Sequence, residues 1–194
     1  MARERSFSEP EVLQRAADVF STHGYGATSV AMLCEATGLG KQSLYNAFGD
    51  KQALYLKSVD CAVGRFGAAV AAMKAAPDGR AALQSFFDGL VHVCASGEPA
   101  LKSCIVTTGL LESVDDPALR LSLQAKWQAT HELLRGTIER GQKDGSVRNA
   151  APSAELADLL MSLMSGLRVT ARVDDSRARL QRSADLAMAM LDHS

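Results

Sequence analysis

The sequence predicts an all-α protein. Three observations carry this. The chain of 194 residues is 47% hydrophobic but only 5% aromatic, and its apolar content is mostly Ala, Leu, Val and Met, which suit helices rather than strands. Apolar residues recur at spacings of three and four over most of its length. Residues 28–48 show two short helical patterns separated by Thr37-Gly38-Leu39-Gly40, the signature of a helix-turn-helix.

Ser8-Glu9-Pro10-Glu11 opens the first helix. Ser8 is the expected N-cap, Glu11 its capping-box partner, and Pro10 is tolerated in the first turn. Val12, Leu13, Ala16, Ala17, Val19 and Phe20 share one face, and Gly24 suits a C-terminal cap. Thr28 or Ser29 caps the second helix, with Val30, Leu33 and Cys34 inward, and Gly38 ends it. The third runs from about Lys41 to Phe48, Leu44 and Phe48 facing the core. Asp50 caps a fourth, expected to continue until Ala76-Pro77-Asp78-Gly79.

That Pro-Asp-Gly break is the expected domain boundary. It divides the chain into a helix-turn-helix head (1–50), a connecting helix (51–76) and a C-terminal helical domain (77–194). The latter opens with a helix carrying Leu83, Phe86, Phe87, Leu90, Val91 and Cys94, ending at Gly97-Glu98-Pro99. Residues 100–114 are apolar and partly helical. Asp116 caps and Pro117 starts a long helix with Leu119, Leu123, Trp127, His131, Leu134 and Ile138 on one face, ending near Gly145. Pro152 starts a helix with Leu156, Leu159, Leu160, Leu163, Met164 and Leu167. Asp174-Asp175-Ser176 breaks the chain and caps the last one, with Leu180, Ala184, Ala187, Met188 and Leu191. The count is about nine helices.

The third helix carries the readable chemistry. Lys41, Gln42, Ser43, Tyr45 and Asn46 lie away from Leu44 and Phe48. Gln and Asn bond bidentately to adenine, and Lys favours guanine or phosphate. Gln42 and Asn46 are therefore assigned to base reading. Tyr45, Ser43 and Thr28 are assigned to phosphates, which set register, as is Lys51 at the start of the fourth helix. The alternative is an ordinary solvated surface. Net charge is −1, so DNA binding requires a local positive surface rather than a global field. Arg3 and Arg5 add either a basic arm or only a solvated terminus.

Gly24-Tyr25, Thr28-Ser29, Gly38, Lys41-Gln42-Ser43-Leu44-Tyr45, Phe48 and Lys51 together resemble the TetR family of bacterial transcriptional regulators. Ser103-Cys104-Ile105-Val106, Leu110-Leu111-Glu112 and Asp116-Pro117 are similar to one C-terminal subtype. The resemblance implies an N-terminal three-helix DNA head and a homodimer. It also implies a C-terminal domain that binds a small molecule and thereby releases the operator. Two positions depart from the family pattern: Gly40 stands where Ser is frequent and Ala47 where His is frequent, which weakens a cap and removes one potential DNA contact.

Trp127 and His131 lie one turn apart. With Phe86, Phe87, Leu90, Cys94, Cys104, Thr107 and Met164 they make the expected ligand site, apolar with a few polar groups. A filled core is the alternative. Cys104 offers a second reading, implied by the resemblance: in some relatives this segment holds a Cys that senses electrophiles or oxidants, and Lys102 stands two residues before it. A neighbouring cation lowers a thiol pKa; Lys102 would point elsewhere on a helix, Arg172 on a later helix is the other candidate, and an inert buried thiol is the alternative. The last two helices carry more apolar surface than one face each needs. Small Ser162, Ser165 and Gly166 between them suggest close helix approach. They are the expected dimer interface, a four-helix bundle with the partner, unless that surface is intramolecular core. A two-fold dimer predicts a palindromic double-stranded operator.

Other classes find no support in the sequence. The four His lack zinc-binding spacing, the four Cys lack CxxC spacing, and no Ser-His-Asp arrangement, Walker loop or dinucleotide fingerprint occurs. No enzyme activity, metal or other cofactor is expected. Without a signal-like apolar segment or a run of membrane-spanning length, a cytoplasmic protein with reduced thiols is expected.

Overall fold

The computed structural model describes residues 8–113 and 115–192; Arg3 and Arg5 lie outside them. Ten α-helices and two short 3-10 helices make up the regular structure of the described residues, and none of these helices is long and apolar enough to cross a membrane. The helices are α1 (Glu9–His23), α2 (Val30–Thr37), α3 (Lys41–Phe48), α4 (Lys51–Gly64), α5 (Gly67–Ala75), α6 (Gly79–Cys94), α7 (Ile105–Glu112), α8 (Pro117–Asp144), α9 (Ser153–Val173) and α10 (Arg177–Ala189).

Two compact units result. The first joins the residues up to Arg65 with Ile105–Leu123; the second joins Phe66–Cys104 with the chain from Gln124 onward. This differs from the boundary expected at Pro77–Gly79. Segment 51–76 is also two helices rather than one. Gly64 and Gly67 flank a turn at Arg65-Phe66, glycine being a poor helix former, and Arg65 bonds back to Asp18 on α1 at 3.1 Å.

In the first unit α1 packs on α2 and α4, and α3 on α2 and α4. Val12, Ala16, Ala17, Phe20, Leu33, Leu44, Phe48, Leu54 and Val59 form its core. Phe20 and Tyr25 both stand 4.9 Å from the Tyr55 ring, centroid to centroid, within the range favourable for aromatic pairs. Helix α7 belongs to this unit and packs on α1 and α4. Its Glu112 carboxylate accepts from the Gly26 amide at 2.7 Å, and the Ile105 carbonyl accepts from the Tyr55 hydroxyl at 2.7 Å. Gly24, at φ 83°, passes so close to Glu112 that a side chain there would collide with the carboxylate.

In the second unit Leu83, Phe87, Leu90, Val91, Leu134, Ile138, Leu160, Met161, Leu180 and Met188 form one continuous core. The start of α6 approaches α8 backbone to backbone. A Cβ at Gly79 would overlap Gly141, and one at Gly141 would overlap Val147, so glycine is required at both.

Three of the expected caps form. Ser29 accepts from the Met32 amide at 3.2 Å, Asp50 from Ala53 at 2.8 Å, and Asp116 from Leu119 at 2.9 Å. Ser8 at the α1 N-cap and Ser176 at the α10 N-cap make no side-chain cap bond, so the expected capping box does not form on the serine side of α1 and Ser176 does not cap α10 through its hydroxyl.

Candidate nucleic-acid interface and effector region

Helix α2 ends at Gly38 in the left-handed conformation, φ 73°, where a Cβ is penalised. Two residues later α3 begins at Gly40, which supplies no side-chain cap. Leu44 and Phe48 anchor α3 in the core. The opposite face leaves Lys41, Gln42, Ser43 and Asn46 exposed, with Tyr45 half-buried at its edge. Gln42 Nε2 donates to Asn46 Oδ1 at 2.8 Å, one turn apart. These two amides are thus held side by side while their remaining donors and acceptors face outward.

Lys51 stands at the first turn of α4. Its Nζ lies 4.7 Å above the Tyr25 ring and 3.5 Å from the Gly26 carbonyl. Burial pushes its pKa below the usual lysine value, against the opposing pull of Glu112. Burial also raises the Tyr25 phenol, assisted by Asp116 and Asp50. A cation partly stripped of water beside the helix-turn-helix gains more from an incoming phosphate than a solvated one.

Thr28 departs from its expected role. It is 1% exposed, and its hydroxyl donates to the Gly24 carbonyl. That hydroxyl holds the α1–α2 turn, leaving Ser29 as the α2 cap. Tyr55 was not singled out by the sequence, and Tyr25 and Glu112 entered only through the family resemblance; no short-range pattern links the three.

The residues expected around a ligand fall into two groups. Phe87, Leu90, Cys94 and Met164 sit in the buried core of the second unit, and Phe86 and Trp127 pack against it. Phe86 and Phe87 meet edge to face at 5.4 Å. Trp127 and His131 stack nearly parallel at 6.0 Å. His131 Nε2 lies 3.1 Å from Asp158 on α9, while its buried Nδ1 has no hydrogen-bond partner. Cys104 is half-buried at the end of this unit's first stretch. Thr107 belongs to the other unit, on α7, with its hydroxyl buried and unpartnered.

Arg172, the cation expected near Cys104, is exposed on the last turn of α9. The arginine that reaches this part of the chain is Arg168, one turn earlier. Its Nη1 donates to the carbonyls of Leu101 and Ser103, at 3.0 and 3.1 Å. Lys102 pairs with Asp175 at 2.6 Å. Burial pushes the Cys94 thiol above its usual pKa, with Arg168 and Lys102 pulling the other way. Cys94 is therefore held as the neutral thiol.

Comparison with known proteins agrees with this organisation. Residues 12–57 match the family described as bacterial regulatory proteins, tetR family, and residues 79–187 match the tetracyclin repressor-like C-terminal domain. The uncharacterized HTH-type transcriptional regulator YezE of Bacillus subtilis (strain 168) is 32% identical over 99% of this chain and 100% of its own. The HTH-type transcriptional repressor ComR of Escherichia coli (strain K12) is 24% identical over 97% of this chain and 90% of its own. A cysteine mutant of the TetR family transcriptional regulator CifR, solved with 26-bp double-strand operator DNA, superposes with a TM-score of 0.87. It is 30% identical and covers 97% of this chain and 98% of that one. The chain belongs to the TetR family of bacterial transcriptional regulators, and is a helix-turn-helix DNA-binding protein rather than an enzyme.

Proposed function

We propose that this protein is a homodimeric repressor that leaves its operator when a small, largely apolar effector binds the second unit. The observation that carries the DNA half is the face of α3: four exposed polar side chains, Lys41, Gln42, Ser43 and Asn46, opposite the buried anchors Leu44 and Phe48. Gln42 and Asn46 read bases; Lys41, Ser43, Tyr45 and Lys51 position the helix on phosphates. The operator-bound CifR structure and the repressor ComR support the same reading.

Dimerisation through α9 and α10 accounts for apolar surface that otherwise faces water. Leu159, Ser162, Gly166, Val169 and Val173 recur at spacings of three and four along α9 and are all exposed. Val169 is 65% and Val173 87% exposed, and Leu186 on α10 is 70% exposed. Such a stripe of large apolar and small residues suits close helix packing against a second copy.

The effector half requires a compound that binds the two conformations with different affinity. Phe86, Phe87, Leu90, Met164 and Trp127 supply apolar surface for it, and Cys94 and His131 the polar groups. A second reading uses Cys104, a half-buried free thiol next to the turn held by Arg168. It predicts that Cys104→Ser abolishes derepression by a quinone while operator affinity is unchanged.

In vitro transcription from a promoter carrying a selected operator tests the repressor reading. Added protein lowers the transcript yield; a rise in yield identifies an activator instead.

A further inference from the structure

Arg168 is the most conspicuous unmet charge among the described residues. It is only 7% exposed, and no carboxylate lies within ion-pair distance of it among those residues. Its partners are two backbone carbonyls and the face of Phe66, 5.7 Å from the guanidinium carbon. Its Nε–H is buried and has no partner. The other buried Nε without a partner, on Arg140, belongs to a guanidinium that acts electrostatically on the Asp144 carboxylate. Arg168 has no such counter-charge. Lys102 adds a second cation nearby, already matched by Asp175. A buried cation that is neither neutralised nor fully hydrogen-bonded is costly to keep, and an arginine fork is the side chain best shaped to take a carboxylate.

We propose that Arg168 receives the carboxylate of an apolar acid, its Nε–H donating to one carboxylate oxygen, and that the effector of this regulator is such an acid. This rests on the effector reading above and names its chemical class. The apolar body of the ligand lies among residues of the second unit's core: Met164 and Leu167 precede Arg168 on α9, and Leu90 and Cys94 lie on α6. The anion also has a lever. Nη1 of Arg168 fastens the carbonyls of Leu101 and Ser103, so a carboxylate that draws the guanidinium toward itself competes with both bonds. Two residues after Ser103 the chain enters α7 at Ile105, whose carbonyl accepts from Tyr55, and α7 ends at Glu112, which accepts from Gly26 beside α2. The Arg168 bonds therefore hold the stretch of chain that leads directly into the helix bracing the DNA head.

The test is calorimetric titration of the full-length protein, without DNA, with straight-chain carboxylates of six to twelve carbons. Each is compared with the primary alcohol of the same length. A charge-assisted bond to a buried arginine makes the best acid roughly tenfold or more tighter than its alcohol, and Arg168→Gln abolishes the preference. Arg168→Lys, which keeps the charge but removes the fork, loses most of it and serves if the glutamine variant does not fold. Equal binding of acid and alcohol by the native protein, binding of neither, or a preference that survives in a folded Arg168 variant overturns the proposal. Because DNA is absent, failure of the repressor reading is separable. With operator added in a second titration, an acid that binds through Arg168 without releasing it overturns the acid as effector but not the carboxylate site; a neutral compound that releases operator, with no acid preference, overturns the carboxylate site but not effector release.

Discussion

At the residue scale, the DNA-facing chemistry concentrates in a few side chains whose positions follow from their neighbours. Gln42 and Asn46 are joined by a 2.8 Å hydrogen bond, so each orients the other before DNA arrives. Replacing either by alanine is expected to cost about 1–3 kcal/mol in operator affinity, and the double replacement less than the sum. Fluorescence anisotropy on the operator and on base-pair variants of it measures both. Lys51→Met is expected to weaken specific and non-specific DNA alike and to reduce the salt slope by about one. A specific loss confined to one base pair would instead make Lys51 a base reader. Some single-residue roles were not legible in the sequence. Thr28 and Ser29 are both plausible caps, and only the fold reveals that Thr28 turns inward to Gly24 while Ser29 caps α2. Arg172 and Arg168 are likewise one turn apart, and sequence alone offers no reason for the earlier one to be buried.

At the scale of elements, helix identity and most boundaries were legible because periodicity, caps and glycines agree. Gly38, Gly145, Asp50 and Asp116 punctuate the chain where the pattern places them. The split of the connecting helix was less visible, since α4 and α5 both carry apolar periodicity across Gly64 and Gly67. The membership of α7 in the head unit was not visible at all: its bonds to Tyr55 and Gly26 span fifty residues or more. The turn Pro99–Lys102 is a further element set by distant partners, Arg168 on α9 and Asp175 before α10. The Lys102 hydrogen bond holds the Asp175 carboxyl below its usual 3.8. An acid whose folded pKa is depressed stabilises the fold above its unfolded pKa and loses that contribution as pH falls through the folded value. Asp175→Asn is therefore expected to lower Tm slightly at neutral pH, the pair being partly solvated. The difference from the native protein should close as pH drops below 3.8. A gap that persists in acid would show that the pair is not its source.

At the scale of the whole molecule, two units with separate cores are joined by one continuous chain, and the proposed second copy covers α9 and α10. Val169→Glu with Val173→Glu places two like charges per protomer on the proposed interface. Light scattering is expected to report a monomer for this variant and a dimer for the native chain. A variant that stays dimeric would move the interface away from the exposed α9 stripe. The monomer is further expected to lose most operator affinity, because a palindrome rewards simultaneous binding of two heads. The family and its DNA-binding activity were readable from residues 24–51, a compact local motif. The effector was not, because a helical core and a ligand site share one composition; the carboxylate site proposed above rests on the burial of Arg168, which periodicity does not show.

The central claim is that the exposed face of α3 reads a two-fold symmetric operator. Selection of bound fragments from the source genome by the purified native protein, at moderate salt and followed by sequencing, tests it most directly. The account predicts recovery of a palindrome whose half-sites lie about one helical turn, or a multiple of it, apart, and loss of that enrichment with Asn46→Ala. Recovery of fragments without a shared palindrome, or the same enrichment from the Asn46→Ala protein, would contradict it.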